Sequence, residues 1–216
     1  MKRRSLLAIA CLSILAAPAA IAAAQGGDGW EIGPVIRGKN YSPGMPPAPR
    51  PTSGGFTFDF PAPDAAAGHV HYVTFRPGSL AGKSRMIVRY RIDAAPGTRF
   101  VPQEIPKLPA AISLYLQRRG DNWTGRGRYE DYRWYSPAAS VRVIAPGVHE
   151  ISVRLDDPDW ISVKAKTSGS LPGAMQAAVD DADRVGLTFG ALGDGRGHGV
   201  FATAPARFTL LSFRIV

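Results

Sequence analysis

From residue 56 onward, apolar and polar residues alternate in short runs. Phe56, Phe58 and Phe60 are separated by Thr57 and Asp59, which places three rings on one face of a strand. Residues 69–75 alternate in the same way. Residues 86–92 set Met86, Val88, Tyr90 and Ile92 against Ile87, Arg89 and Arg91. Further runs follow at 112–116, 132–135, 141–144, 151–155, 161–164, 185–189 and 208–215. Turn chemistry divides them: Arg76-Pro77-Gly78, Ala95-Pro96-Gly97, Ala145-Pro146-Gly147 and Asp156-Asp157-Pro158-Asp159. About ten short strands at this spacing predict an all-β fold, a two-sheet antiparallel β-sandwich of jelly-roll type. Phe58, Val88, Leu114, Val153, Leu187 and Leu210 then point into its core. One short helix is expected, with Ser170 as its cap and Leu171, Met175, Val179 and Ala182 along one face.

The N-terminal residues follow different patterns. Lys2, Arg3 and Arg4 precede an apolar run from Ser5 to Ala17, and Ala20-Ile21-Ala22-Ala23-Ala24 offers small-residue cleavage sites. These are the three parts of an export signal, with cleavage expected after Ala24, before Gln25. Residues 1–24 are therefore read as a signal peptide and residues 25–55 as a first strand plus a connector rich in Gly and Pro. Residues 56–216 form the sandwich domain. Proline cannot donate a backbone bond, so Pro46, Pro47, Pro49 and Pro51 exclude a helix or a central strand there. The single cysteine, Cys11, lies in the signal, so the exported chain has no disulfide and no thiolate metal site. The formal charge is +9, and removing the three bases of the signal leaves +6. An exported basic domain meets acidic polysaccharide or lipid phosphate rather than nucleic acid. The expected location is periplasmic or secreted, with membrane contact only through the signal peptide.

The C-terminal third has a further recognisable shape. Arg184-Val185-Gly186-Leu187-Thr188-Phe189-Gly190 leads through a glycine-rich loop to Gly199-Val200-Phe201, and then to Phe208-Thr209-Leu210-Leu211-Ser212-Phe213-Arg214-Ile215. Residues 149–155 and Trp160 precede them. This order resembles the close of a galactose-binding-domain-like jelly roll, as in many secreted carbohydrate-binding modules. The resemblance covers residues 140–216, and more loosely the rest of the exported chain. It implies a non-catalytic β-sandwich that binds a glycan. The early acidic loop that holds calcium in many such modules has no counterpart, since residues 25–60 contain only Asp28, Glu31 and Asp59.

Residues 118–135 hold the densest set of binding chemistry, with arginines and aromatics interleaved among glycines. Aromatic faces suit the CH faces of sugars, and arginine forks onto carboxylates. Trp123, Arg126, Tyr129, Tyr132 and Trp134 are the candidate ligand-binding residues. Trp123 leads them, because its polar, glycine-flanked turn offers little to bury it. His69 and His71 share a strand face at a spacing that can chelate a metal, but no third ligand is near in sequence. Asp156, Asp157 and Asp159 read as turn formers. The loop 193–199 precedes a strand rather than a helix, so it reads as a hairpin and not a phosphate cradle. No catalytic residue, cofactor or metal centre is assigned. The expected function is a binding module for a glycan or an anionic envelope polymer. A small envelope glycan hydrolase or lyase is the first alternative, and it would need two converging carboxylates. A structural or protein-interaction domain is the second, and it would need a flat apolar patch.

Overall fold

The computed structural model describes residues 29–216 and the backbone of one short strand before them, Ile21–Ala22. The rest of residues 1–24, which the sequence reads as a signal peptide, and the expected cleavage point before Gln25 lie outside the described residues. In chain order the first strands are β1 (Ile21–Ala22), β2 (Glu31–Gly33), β3 (Val35–Ile36), β4 (Lys39–Asn40), β5 (Arg50–Thr52) and β6 (Gly55–Asp59). Then come β7 (Tyr72–Phe75), β8 (Arg85–Ala94), β9 (Phe100–Pro102), β10 (Ala110–Arg118), β11 (Arg133–Tyr135) and β12 (Arg142–Val143). The chain ends with β13 (Gly147–Arg154), β14 (Ile161–Ser162), the helix α1 (Pro172–Asp180), β15 (Ala182–Ala191), β16 (Val200–Ala202) and β17 (Ala206–Ile215).

Two large antiparallel sheets dominate. The first runs β13-β8-β17-β6-β5, with β1 beside β17, and the second runs β14-β11-β10-β15-β7-β2, with β12 beside β10. Two small pairs, β16 with β9 and β3 with β4, flank them. The protein is an all-β sandwich with one short helix. Side chains from both large sheets enter one core. Phe58 of the first sheet stacks on Phe208 at 5.0 Å and meets Phe189 of the second edge-on at 5.7 Å. Phe58, Val88, Leu114, Val153, Leu187 and Leu210 are all buried in it.

Residues 50–52 of the connector form β5, an edge strand of its sheet, where Pro51 can turn its missing donor outward, as the exclusion of a central strand allows. Two local expectations are corrected. Ser170 does not cap α1. Its hydroxyl donates to the Thr167 carbonyl at 2.7 Å, and the helix opens instead on Pro172. Met175 and Val179 are buried as expected, whereas Ala182 already belongs to β15.

Candidate functional site

The two sheets treat their outer faces differently. On β8 and β13, buried and exposed residues alternate, as they do when one face meets water. β10 is buried on both faces from Ala110 to Gln117. Ile112, Leu114 and Leu116 face the core, and Ser113, Tyr115 and Gln117 face outward under a covering loop. The register places Glu31, Thr74, Gly186, Tyr115 and Tyr135 in one row across five strands. Gly186 has φ +154°, and a Cβ there would lie 2.2 Å from the Val73 carbonyl oxygen. Only glycine fits, so the middle of the row carries no side chain. Gly33, Tyr72, Thr188 and Ser113 form the adjacent row.

The loop after β10 folds back over this face. The Arg118 amide donates to the Tyr132 carbonyl at 2.8 Å and closes its base. Within it, Asp121 is the organising residue, with its side chain fully buried. It accepts from Gln117 Nε2 at 3.0 Å and from the Trp123 amide at 3.1 Å, and it pairs with Arg133 Nε at 3.0 Å. Arg133 donates to the Trp123 carbonyl at 3.1 Å and lies 4.9 Å from the centre of the Trp123 ring. These contacts hold Trp123 at φ +65°, a left-handed conformation that costs a bulky residue about 1–3 kcal/mol. Its half-buried ring meets Tyr72 edge-on at 5.6 Å.

Between the loop and the sheet lies a pocket of about 240 Å³, lined among others by Tyr72, Thr74, Tyr115, Gln117, Asp121 and Trp123. Charged groups, Glu31, Arg76, Asp121, Asp183 and Arg184, line it beside the rings of Tyr72, Tyr115 and Trp123. The Tyr72 and Tyr135 hydroxyls bond to each other at 2.9 Å. The Tyr115 hydroxyl, and Thr188 Oγ1 in the adjacent row, are buried with no partner among the described residues. Burial pushes the Tyr72 and Tyr115 phenols well above their ordinary range, and Tyr135 upward as well, so all three stay protonated donors. Burial opposes the charge on Arg133, but Tyr135, Tyr115, Asp121 and Tyr72 around it outweigh that, and its pKa rises. The carboxylates at the pocket are engaged by arginines: Glu31 by Arg184 at 2.7 Å, Asp121 by Arg133, and Asp183 by Arg119 at 3.8 Å.

Of the residues singled out in sequence, Trp123 alone reaches this pocket. Trp134 is corrected: it is fully buried in the core, its indole N–H donating to the Asp131 carbonyl at 2.9 Å, so no ligand can stack on it. Tyr129 and Tyr132 pack edge-on at 5.1 Å, with Arg128 and Arg118 over their rings, and neither lines the pocket. Arg126 is exposed on the loop, away from the lining. Sequence reasoning missed Tyr72, Tyr115, Gln117, Asp121 and Arg133. The alternation of Tyr72 and Thr74 against Val73 and Phe75 is the signal that marks an outward tyrosine.

A larger cavity, about 350 Å³, lies between α1 and the loops 79–84 and 155–158. Leu80, Leu155, Met175 and Val179 line it with Asp157 and Asp180, and no aromatic ring takes part. Asp156 is forked onto Arg154 at 2.6 and 2.8 Å, and Asp157 accepts from the Asp159 amide at 3.0 Å, as turn residues do. The loop 193–199 leads into β16 and not into a helix. The chain matches no protein-family model, no curated protein and no solved structure.

Proposed function

We propose that this protein is an exported, non-catalytic glycan-binding domain, built on a jelly roll of the galactose-binding-domain-like kind. The outer face of its second sheet is the binding site. One observation carries the reading: Trp123 is held strained and half-exposed beside a pocket lined by Tyr115, whose buried hydroxyl has no partner among the described residues. A sugar supplies both missing partners, a CH face for the indole and a hydroxyl for Tyr115. Export rests on the N-terminal pattern. The fold assignment draws support from β15 and β17, which occupy central places in the two sheets. The paired charges of the pocket favour a glycan recognised mainly through its hydroxyls, and the +6 charge of the exported chain adds attraction for an acidic one.

The test is a broad glycan array probed with the full chain and with Trp123→Gly. Glycine adopts φ +65° without strain, so this variant removes the ring while keeping the loop. The expected result is binding to a defined glycan class, weakened by about 1–2 kcal/mol in the variant. Binding that is indifferent to Trp123, or no binding to any glycan, overturns the reading.

A further inference from the structure

The site proposed above leaves unused a pair of histidines beside it. Val70 exchanges backbone hydrogen bonds with Val200 at 2.9 and 3.0 Å and is itself fully buried. His69 and His71, on either side of Val70, therefore project to one side together. Their ring centres lie 4.6 Å apart, with the planes inclined at 46°. The loop that follows β15 packs against them. His71 Nδ1 lies 2.8 Å from the Gly197 carbonyl oxygen. A carbonyl only accepts, so Nδ1 carries the proton and Nε2 is left with a bare lone pair. That Nε2 is buried with no hydrogen-bond partner. On His69, Nδ1 is likewise buried, with no partner among the described residues.

Each ring thus has one nitrogen buried with no partner among the described residues, and His71 is anchored to the backbone through the other. A buried polar nitrogen left unpaired penalises the fold, and here the penalty falls on two adjacent rings. Anchoring one imidazole nitrogen on a carbonyl is also how proteins fix the tautomer of a metal-ligating histidine. The main chain at Gly199 packs close against both rings. A Cβ on Gly199 would stand 2.9 Å from His71 Nε2 and 2.6 Å from His69 Cδ2, so no larger residue fits there.

We propose that His69 and His71 form a two-histidine site for a divalent, imidazole-preferring transition-metal ion, Zn²⁺ or Cu²⁺. Among the described residues no three His, Cys, Asp or Glu groups converge. The remaining coordination positions therefore belong to water or to an exogenous ligand, the arrangement of an open rather than a closed structural site. The next histidine along the loop, His198, is occupied with Glu104. Copper binds the more tightly of the two, following the general order of divalent affinities.

Calorimetric titration of Zn²⁺ and Cu²⁺ into the untagged full chain tests this. Cys11→Ser serves as the background, so that the lone thiol contributes nothing. The expected result is one metal per chain, with affinity lowered at least about tenfold by His69→Ala or by His71→Ala and unchanged by His149→Ala. His149 is a fair control, since its Nε2 is bonded to the Ala145 carbonyl at 2.8 Å. Nitrogen-15 NMR of the metal-free chain gives a readout that does not depend on the variants folding. It should report His71 protonated at Nδ1, with the Nε2 resonance moving when metal is added. The proposal is overturned if neither metal binds, if binding survives both alanine variants, or if His71 Nε2 carries a proton shared with His69.

Discussion

Tyr115 is fully buried, and its hydroxyl has no partner among the described residues. Removing that oxygen should therefore cost the fold nothing, because the buried donor is already unsatisfied. Tyr115→Phe is expected to melt at or slightly above the wild-type temperature while binding glycan more weakly. A hydroxyl with a merely structural role would give the opposite pattern, a lower melting temperature with binding unchanged. Trp123 was legible in the sequence because glycines and polar residues left it nowhere to hide. Tyr115 was not, because it sits inside the apolar run 110–116, where both faces of the strand read alike. Trp134 was misread for a related reason. β11 is three residues long, and aromatics stand at both parities around it, so alternation alone could not say which ring faced inward.

At the scale of elements, β17 shows where a pattern read correctly still needs a correction of phase. Its register slips between Leu210 and Ser212, so Phe208 and Leu210 are buried before the irregularity and Phe213 and Ile215 after it. A strict period of two would have buried Ser212 and Arg214 instead. Leu210→Ala is expected to destabilise the protein by about 2–5 kcal/mol, and Leu211→Ala, half-buried at the bulge, by less than half as much. Equal losses in chemical denaturation would show that the bulge is misplaced. The long strands were legible because each carries several alternations of its own. β4 and β5 are two or three residues long, too short to show an alternation of their own, and β9 and β16 exist only by pairing with each other across the chain, so local pattern could not reveal them.

On the whole molecule, the first sheet is tied across its open face by charge. Asp59 accepts from Arg50 at 2.7 Å and from Arg207 at 2.7 Å, linking β5, β6 and β17. The Arg207 hydrogen bond is the largest influence on Asp59; burial opposes it, Arg50 reinforces it, and the net effect holds the carboxyl below its ordinary range. Because the folded pKa is depressed, the stabilisation is present above the unfolded value of 3.8 and is lost as pH falls through the folded one. All three groups are about half exposed, so solvent screening limits the effect. Asp59→Asn is expected to cost about 0.5–1 kcal/mol at neutral pH, with the gap from wild type closing below about pH 4. Denaturation curves at pH 7 and pH 3 decide it, and a gap that persists in acid would contradict the linkage. The overall sandwich and its core were legible because they rest on burial. The pocket was not, since it depends on residues from five strands and a loop meeting on one face.

The unequal outer faces also bear on how this sequence can drift. On β8 and β13, every second residue meets water, so substitutions at Arg89, Arg91, Glu150 and Ser152 should pass almost unnoticed. On β10 the same spacing brings no relief, because its intervening residues lie under the loop that carries Trp123. A saturation library selected for soluble expression should therefore show a two-residue rhythm of permissiveness along the first sheet and a flat, intolerant profile along Ala110–Gln117. Relatives of this chain would then diverge freely across one broad side while keeping the other nearly constant, and a library equally permissive on both would mean that the loop does not close over β10.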